Sequence, residues 1–504
     1  LADADPFLES HLRLAEGAVL SAVDPARAQE LASQALEYFA AADLKVNQAE
    51  ALGVRAEANR RLGRSDVAKA DLDAALRLLV LRVSEERDDA VRLAFATALR
   101  KTADAVVALT LDDLEDPSAA FEATELMRRL LFGDRDDHRR LLALLSEGRG
   151  LIEGPDPTLG GDVLLATWLL EERLLVWRVG PEGVELSAER LDLAAARDAV
   201  AVFVSRARDG RPGSDGSAEA ADAAALVARL HGLGELPAAI EGTVLLMPDP
   251  ALYGLPIAAL PGRRGSGHLV EELAFAVLPH LPQSDRPAAG ERRIDRGGEW
   301  RALLVGDPES SAAAERLPPL PHSRAEVAAI RSLYRLSPEP RLGADATRRV
   351  LSEGLEDFEV LHFAGHALTS AAGADASYLV VAPTDATDDG LVYAAELAGP
   401  DLERLRLVVL SACGSVGAGA PSAGLAGLAR PFLQRGADAV LGTLWPLDDE
   451  VAKLLMTEFH RGVVDGLRAS EALRRAQLAV ARDAAGRWRG TGTWAGLYLI
   501  GELQ

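Results

Sequence analysis

The sequence predicts a mostly parallel α/β sheet sandwiched by helices, preceded by an all-α region. Three observations predict it. From about residue 160, near-continuous apolar runs such as Leu407, Val408, Val409 and Leu410 stop abruptly in small residues and alternate with stretches of helical spacing. Strands buried on both faces of a parallel sheet read this way. Before about Leu145 the chain is rich in Ala, Leu, Arg and Glu at helical spacing, with hardly any β-branched clusters. Between the two, EGPDPTLGG (153–161) punctuates the change of period with Pro and Gly.

At 504 residues the chain is too long for one core. The reading is a helical scaffold over 1–152, an α/β half over 158–284, a linker over 285–300 and a second α/β half over 301–504. The net charge of −23 argues against a nucleic-acid partner, which would need clustered Lys and Arg. One cysteine builds neither a disulfide framework nor a thiolate metal site, and a reducing cytoplasm fits it best. The nine histidines are scattered and no HExxH or CxxC occurs, so neither a metal nor a cofactor is expected. No signal segment and no run of 18 or more apolar residues indicates export or a membrane span. The opening LADADPFLESHLRLAEG reads as mid-domain, so residues before Leu1 are expected to have been lost.

In the helical region, large residues (Leu36, Phe39, Leu52, Leu62, Leu72, Leu76) alternate with small ones (Ala35, Ala51, Ala58, Ala68, Ala75), which lets paired helices approach closely. In LGRSDVAKA, Gly63 is read as ending one helix and Ser65 or Asp66 as capping the next. That turn resembles the inter-helix turn of a tetratricopeptide repeat; a plain helical bundle is the alternative.

From residue 162, two β runs break at Glu171-Glu172-Arg173 and turn at GPEG, a hairpin signal. A helix follows over about 193–205, then a solvated loop in DGRPGSDGSAEAADA and a helix in AALVARLHGL. EGTVLLMPDPALYGLPIAALP reads as a buried strand, a compact turn and a helix, and HLVEELAFAVLPHLP as a strand. DRPAAGERRIDRGGEW lacks periodicity and is the expected linker, exposed enough for a protease to cut. RALLVGDP restarts the strands, followed by a helix in HSRAEVAAIRSLY and the strand EVLHFAGHALTS. A polar loop, ADASYLVVAPTDATDDG, leads to the strand RLVVLSACGSVGAG, a helix through LAGLARPFLQRG and the strand ADAVLGTLWP. A long helix over about 448–464, a second in ASEALRRAQLAVARD and a final strand in TWAGLYLIGE close the pattern.

Two strands carry the chemistry. In an open α/β sheet the site lies outside the carboxyl ends of the strands, where His366 and Cys413, 47 residues apart, would stand side by side. The spacing is close to the roughly 50 residues between histidine and cysteine in caspases. A thiolate is the nucleophile and a neighbouring imidazole generates it near neutral pH. A free cysteine is ordinarily a small buried hydrophobe, but a Ser-Ala-Cys-Gly-Ser turn offers a core residue little. The run GSVGAGAPSAG lacks the Lys-Ser or Lys-Thr ending of a phosphate loop and reads as a flexible loop beside the nucleophile.

HFAGHA, LSACGS, GLARPFLQRGADAVLGTLWPLDD, EALRRAQLA and WAGLYLIG occur in an order that resembles the bacterial CHAT family. LLMPDPALYGLPIAAL, LLVGDPES and LPPLPHSRAEVAAI agree with it. These are caspase-like and separase-like cysteine proteases often preceded by tetratricopeptide repeats. The resemblance covers about 160–504 and implies an α/β caspase-like fold, with a degenerate pseudo-caspase half and an active half sharing one extended sheet.

It also implies roles. Cys413 would attack the scissile carbonyl, His366 would activate the thiol or protonate the leaving amine, and the backbone N–H groups of Ala367 and Cys413 would hold the oxyanion. Family members commonly have Gly at the position of Ala367, and a turn needing φ > 0 there would strain an alanine. His362 resembles the family's first histidine and is expected to lie in the core. Asp448 and Asp449, after TLWP, fall where separase-like relatives place a carboxylate for a basic P1 side chain. Asp385, with Asp388 and Asp389, is a further substrate-binding candidate, and a solvated loop is its plainer reading; Asp449 read plainly caps the helix that follows. The expected function is endopeptidase cleavage of a protein substrate in bacterial defence or regulated cell death, with a gasdermin-like pore former as one target and a regulator or substrate bound by the helical region. The alternative is an inactive CHAT-type binding or signalling module.

Overall fold

The computed structural model describes residues 5–85, 89–133, 141, 143, 162–180, 183–210, 218–236, 240, 242–264, 267–281, 299–309, 317, 319–368, 377–385, 387–397, 399, 402, 404–412, 427–483 and 486–503, and the backbone alone at 84–85, 89–98, 131, 183 and 235. The chain divides into two compact units, Leu1–Gly154 and Pro155–Gln504. All of the boundary and of the glycine run, most of the linker and the middle of the acidic loop lie outside the described residues; the last part of that loop, 218–223, is instead the start of a helix, Ala218–Leu230, as its alanines favour.

The first unit is all α: α1 (Pro6–Leu20), α2 (Pro25–Ala41), α3 (Lys45–Arg61), α4 (Ser65–Glu85), α5 (Asp89–Asp112) and α6 (Pro117–Phe132). Each helix packs on its sequence neighbours. The large residues Phe39, Leu52, Leu72 and Leu76 are buried, as are the small Ala35, Ala51, Ala58, Ala68 and Ala75, and Phe39 clusters with Ala35 and Ala51, while Leu36 and Leu62 are only half-buried. Gly63 ends α3 with φ +73°, a left-handed turn for which glycine lacks the Cβ penalty. Ser65 already stands inside α4, so it and Asp66 lie in the first turn rather than at the cap. Arg55 grips Asp71 with two bonds of 3.0 and 2.6 Å, joining α3 to α4.

The second unit is built on one eleven-stranded sheet. Its strands are β1 (Val163–Leu170), β2 (Arg173–Gly180), β3 (Gly183–Arg190), β4 (Gly242–Met247), β5 (Leu273–Val277), β6 (Ala302–Pro308), β7 (Arg341–Gly343), β8 (Val360–Gly365), β12 (Leu407–Ala412), β13 (Ala439–Thr443) and β14 (Leu497–Gly501). Strands β9 (Ala367–Leu368), β10 (Tyr378–Val380) and β11 (Leu391–Tyr393) form a small separate sheet. The large sheet runs β3-β2-β1-β4-β5-β14-β13-β12-β8-β6-β7. Its helices of nine residues or more are α7 (Leu193–Arg208), α8 (Ala218–Leu230), α9 (Ser323–Arg331), α10 (Asp449–Val464) and α11 (Ala469–Ala481).

The expected hairpin is a three-stranded antiparallel meander, because VELSAER pairs with β2 along its whole length. Neighbours are parallel from β1 through β14 and again from β13 through β7, and the two blocks meet antiparallel at β14–β13. The sheet is therefore continuous, but the carboxyl ends of β4 and β5 lie at the edge opposite those of β8 and β12. ALYGLPIAALP forms only short 3-10 turns, Pro250–Leu252 and Ile257–Ala259, since Pro256 and Pro261 interrupt any longer helix. The polar loop before Cys413 contains β10, and β11 follows directly after it; both are three-residue strands too short to show a period.

Candidate functional site

The six residues of β8 are all buried, and β12 is buried except at Ser411. Their parallel pairing ends with Ser411 opposite Ala364 and Ala412 opposite Gly365. His366 is thus the residue that follows one strand, and Cys413 follows its in-register neighbour in sequence; Cys413 itself lies outside the described residues. Gly365 is required by close packing, since a Cβ there would stand 2.9 Å from the Phe363 ring. Two hydroxyls fix the strand ends. Ser323 Oγ donates to the Ala364 carbonyl at 2.8 Å and accepts from the Asp307 N–H, and Thr443 Oγ1 donates to the Ala412 carbonyl at 2.6 Å.

His366 is half-buried, and its carbonyl accepts the Val380 N–H at 2.9 Å. That bond sets the phase of the β9–β10 ladder. Ala367, opposite Leu379, takes the non-hydrogen-bonded kind of pair, so its N–H is directed away from β10. Ala367 is absent from the described non-glycine residues with positive φ, which are Asp43, Glu115, Glu171 and Asp307. The strain expected of an alanine here does not arise.

A cleft opens at these strand ends. Ala364 and Gly365 of β8, Ser411 and Ala412 of β12 and Thr443 of β13 form its floor, and Leu320, Ser323, Glu326, Leu447, Asp449 and Ala452 complete it. The two adjacent aspartates part here. Asp448 is exposed and caps α10, accepting from the Glu450 and Val451 N–H groups at 3.0 and 3.3 Å. Asp449 lines the cleft and accepts the His322 N–H through Oδ2. Asp385 does not line it. Its carboxylate accepts the Thr387 hydroxyl and N–H at 2.6 and 2.8 Å, which hold its pKa below the usual range. Asp388 is drawn down to about 2 by the Gly390 and Thr384 N–H groups, and Arg348 pairs with Asp388, Asp389 and Glu396. The TDATDD run is a self-bonded loop.

His362 is buried, as expected of a core histidine, but it is not isolated. Its Nε2 meets Glu326 Oε1 at 3.0 Å, and its Nδ1 meets His460 Nε2 at 3.1 Å. His460 continues to the Tyr334 hydroxyl at 2.8 Å. The sequence reading missed Glu326, Tyr334 and His460. The available signal was polarity on apolar stripes: Glu326 sits with Val327 and Ile330 on α9, and His460 with Met456, Phe459 and Val463 on α10. A second cavity lies between β5, β14 and α11, and its described lining is mostly apolar, with Ser470, Arg474, Gln477 and Tyr498 as the polar side chains.

The CHAT domain profile matches residues 220–502, more than half of the chain. The chain belongs to the CHAT domain family. This is the family expected from the order of HFAGHA, LSACGS and TLWPLDD. Tetratricopeptide repeat protein 28 is 27% identical to this CHAT protein in its Mus musculus form and 25% in its Homo sapiens form, each over 298 aligned positions. The match covers 51% of this chain and 12% of each relative, so the chain spans a small fraction of the relatives' length. Two crystal structures of the Saccharomyces cerevisiae separase–securin complex align with 97% of the chain and with 48% and 49% of theirs. They do so at 9% and 10% identity, each with a TM-score of 0.46. Among the described residues no group of three or more His, Cys, Asp or Glu could hold a metal, and no helix is long and apolar enough to cross a membrane.

Proposed function

We propose that this CHAT protein is a cysteine endopeptidase that cleaves a protein substrate through a thioester acyl-enzyme. Cys413 is the nucleophile. His366 takes the thiol proton and returns it to the leaving amine, and water then hydrolyses the thioester. The observation that carries the reading is the register of β8 and β12: Gly365 opposite Ala412 makes His366 and Cys413 the next residues of two adjacent parallel strands. The Ala367 N–H, turned away from β10, supports its assignment to the oxyanion, with the Cys413 N–H as the second donor. Asp449, rather than the capping Asp448 or the loop Asp385, is the carboxylate that receives a basic P1 side chain. The helical unit binds a regulator or substrate, and the setting is a reducing cytoplasm, in bacterial defence or regulated cell death, with a gasdermin-like pore former as a target to assay.

Because Cys413 is the sole cysteine, iodoacetamide labels one site. The unaltered protein is expected to react near neutral pH at least about tenfold faster than His366→Ala, since the imidazole supplies the thiolate. Equal, slow labelling of both overturns the reading. A fluorogenic peptide library varied at P1 tests specificity, and no preference for Arg or Lys removes Asp449 from its role.

A further inference from the structure

Behind the cleft runs a line of four buried side chains that the proposed dyad does not use: Tyr334, His460, His362 and Glu326, each at most 1% exposed. The direction of its hydrogen bonds follows from counting protons. Burial, then the neighbouring His362, keeps His460 neutral, so its ring has one donor and one acceptor. Were His460 to donate from Nδ1, the buried Tyr334 hydroxyl would have no acceptor for its own proton among the described residues. With Tyr334 donating instead, every group is satisfied: the tyrosine O–H to His460 Nδ1, His460 Nε2–H to His362 Nδ1, and His362 Nε2–H to Glu326 Oε1. Three donors in series, each polarising the next, point at one carboxylate.

That carboxylate opens on the cleft. Glu326 lines it, and its Oε2 accepts from no described residue. Asp449 lines the same cleft with its Oδ1 equally unclaimed among the described residues. Among the described residues that line it there is no Lys or Arg. The other described lining residues are apolar or carry hydroxyls, so two carboxylates with unused oxygens there favour a cation brought from outside. Leu320 and Leu447 provide a wall for the aliphatic stem of a long side chain.

We propose that Glu326 and Asp449 together seat a guanidinium group, which makes Glu326 a specificity residue for arginine over lysine. A planar guanidinium presents five donors to two acceptors, whereas an ammonium is a point charge. The proposal deepens the endopeptidase reading, on which the placing of this arginine at P1 rests.

The test measures binding of Nα-acetyl-arginine methylamide and its lysine counterpart to the full chain by calorimetry, separately from peptide cleavage. The arginine probe is expected to bind more tightly. Glu326→Gln keeps an acceptor for His362 and is expected to weaken the arginine probe at least about tenfold, the scale of a lost charge-assisted pair, and to erase the preference over lysine. Glu326→Asp, which keeps the charge but withdraws it by one methylene, covers the case in which the glutamine variant does not fold, and should lose the same preference. Asp448→Asn should change neither probe. Absence of arginine binding to the unaltered protein, or unchanged binding in the Glu326 variants, overturns the proposal. Cleavage after arginine that survives those variants unaltered leaves the endopeptidase reading standing without it, and arginine binding without any cleavage does the reverse.

Discussion

Glu502 gives the strongest prediction about the fold itself. It follows β14, is almost fully buried, and accepts from the Ser470 and Leu503 N–H groups at 3.2 and 2.9 Å. Arg468 Nη2 lies 3.8 Å from its Oε2, but Arg468 also pairs with Asp162. Burial outweighs these contacts and moves the carboxyl from 4.5 up to about 7. The folded chain therefore holds a proton that the unfolded chain releases between those values, and stability falls as pH rises through that window. The penalty is absent below about 4.5 and complete above about 7; at about 1.4 kcal/mol per pH unit it reaches about 3 kcal/mol. Glu502→Gln never ionises, so its stability relative to the parent should climb by about 3 kcal/mol between pH 4.5 and 8. Any misfit between the amide and Arg468 is constant in pH, which makes the slope the readout. All six tryptophans lie at residue 168 or later, so urea titrations followed by tryptophan fluorescence report on the sheet unit alone. A gap between variant and parent that stays constant with pH would refute the argument.

Other predictions follow from the same contacts. His231 and His460 are held neutral by burial, so their contribution is present above about 6.5 and lost as pH falls below it; His231→Phe should flatten this acid limb in the same fluorescence assay. Tyr334→Phe leaves His460 Nδ1 without its donor and should cost about 1–3 kcal/mol in a urea melt. Gly365→Ala drives a methyl against the Phe363 ring and should cost about 1–3 kcal/mol while slowing Cys413 alkylation, because it displaces the strand end that carries His366. Gly63→Ala forces a left-handed alanine between α3 and α4 and should cost the helical unit about 1 kcal/mol, read as an earlier loss of far-UV circular dichroism of the full chain in urea while the tryptophan transition stays where it was.

The strands that matter most were the most legible, and for a physical reason. Leu407, Val408, Val409 and Leu410 are buried on both faces, so nothing polar interrupts them and their ends are marked by small residues. The same rule hid β10 and β11, whose three residues each sit among Asp and Thr that bond their own backbone. Ala367 misled in a subtler way: its position suggested a glycine turn, yet the chain continues there as an extended strand. The carboxylate of Glu326 was invisible because the contacts that define it join residues 36 and 98 positions apart. Only its place on the apolar stripe of α9 betrayed it. Asp448 and Asp449 looked equivalent as neighbours, and the start of α10 separates them, turning one to the backbone and the other to the cleft.

The position of β14 has a consequence for how this protein comes into being. It is made after every other strand of the sheet, yet it lies between β5 and β13 in the middle of it. While the ribosome is still extending the chain, β5 and β13 each present an unpaired edge, and neither block can join the other by itself. Closure waits for residues 497–501, a pairing that spans more than 200 residues back to Val277. Contacts of such long separation form slowly and leave sticky edges exposed in the meantime. A nascent chain is thus the form most exposed to aggregation and to chaperones, and the sheet seals in a single late step.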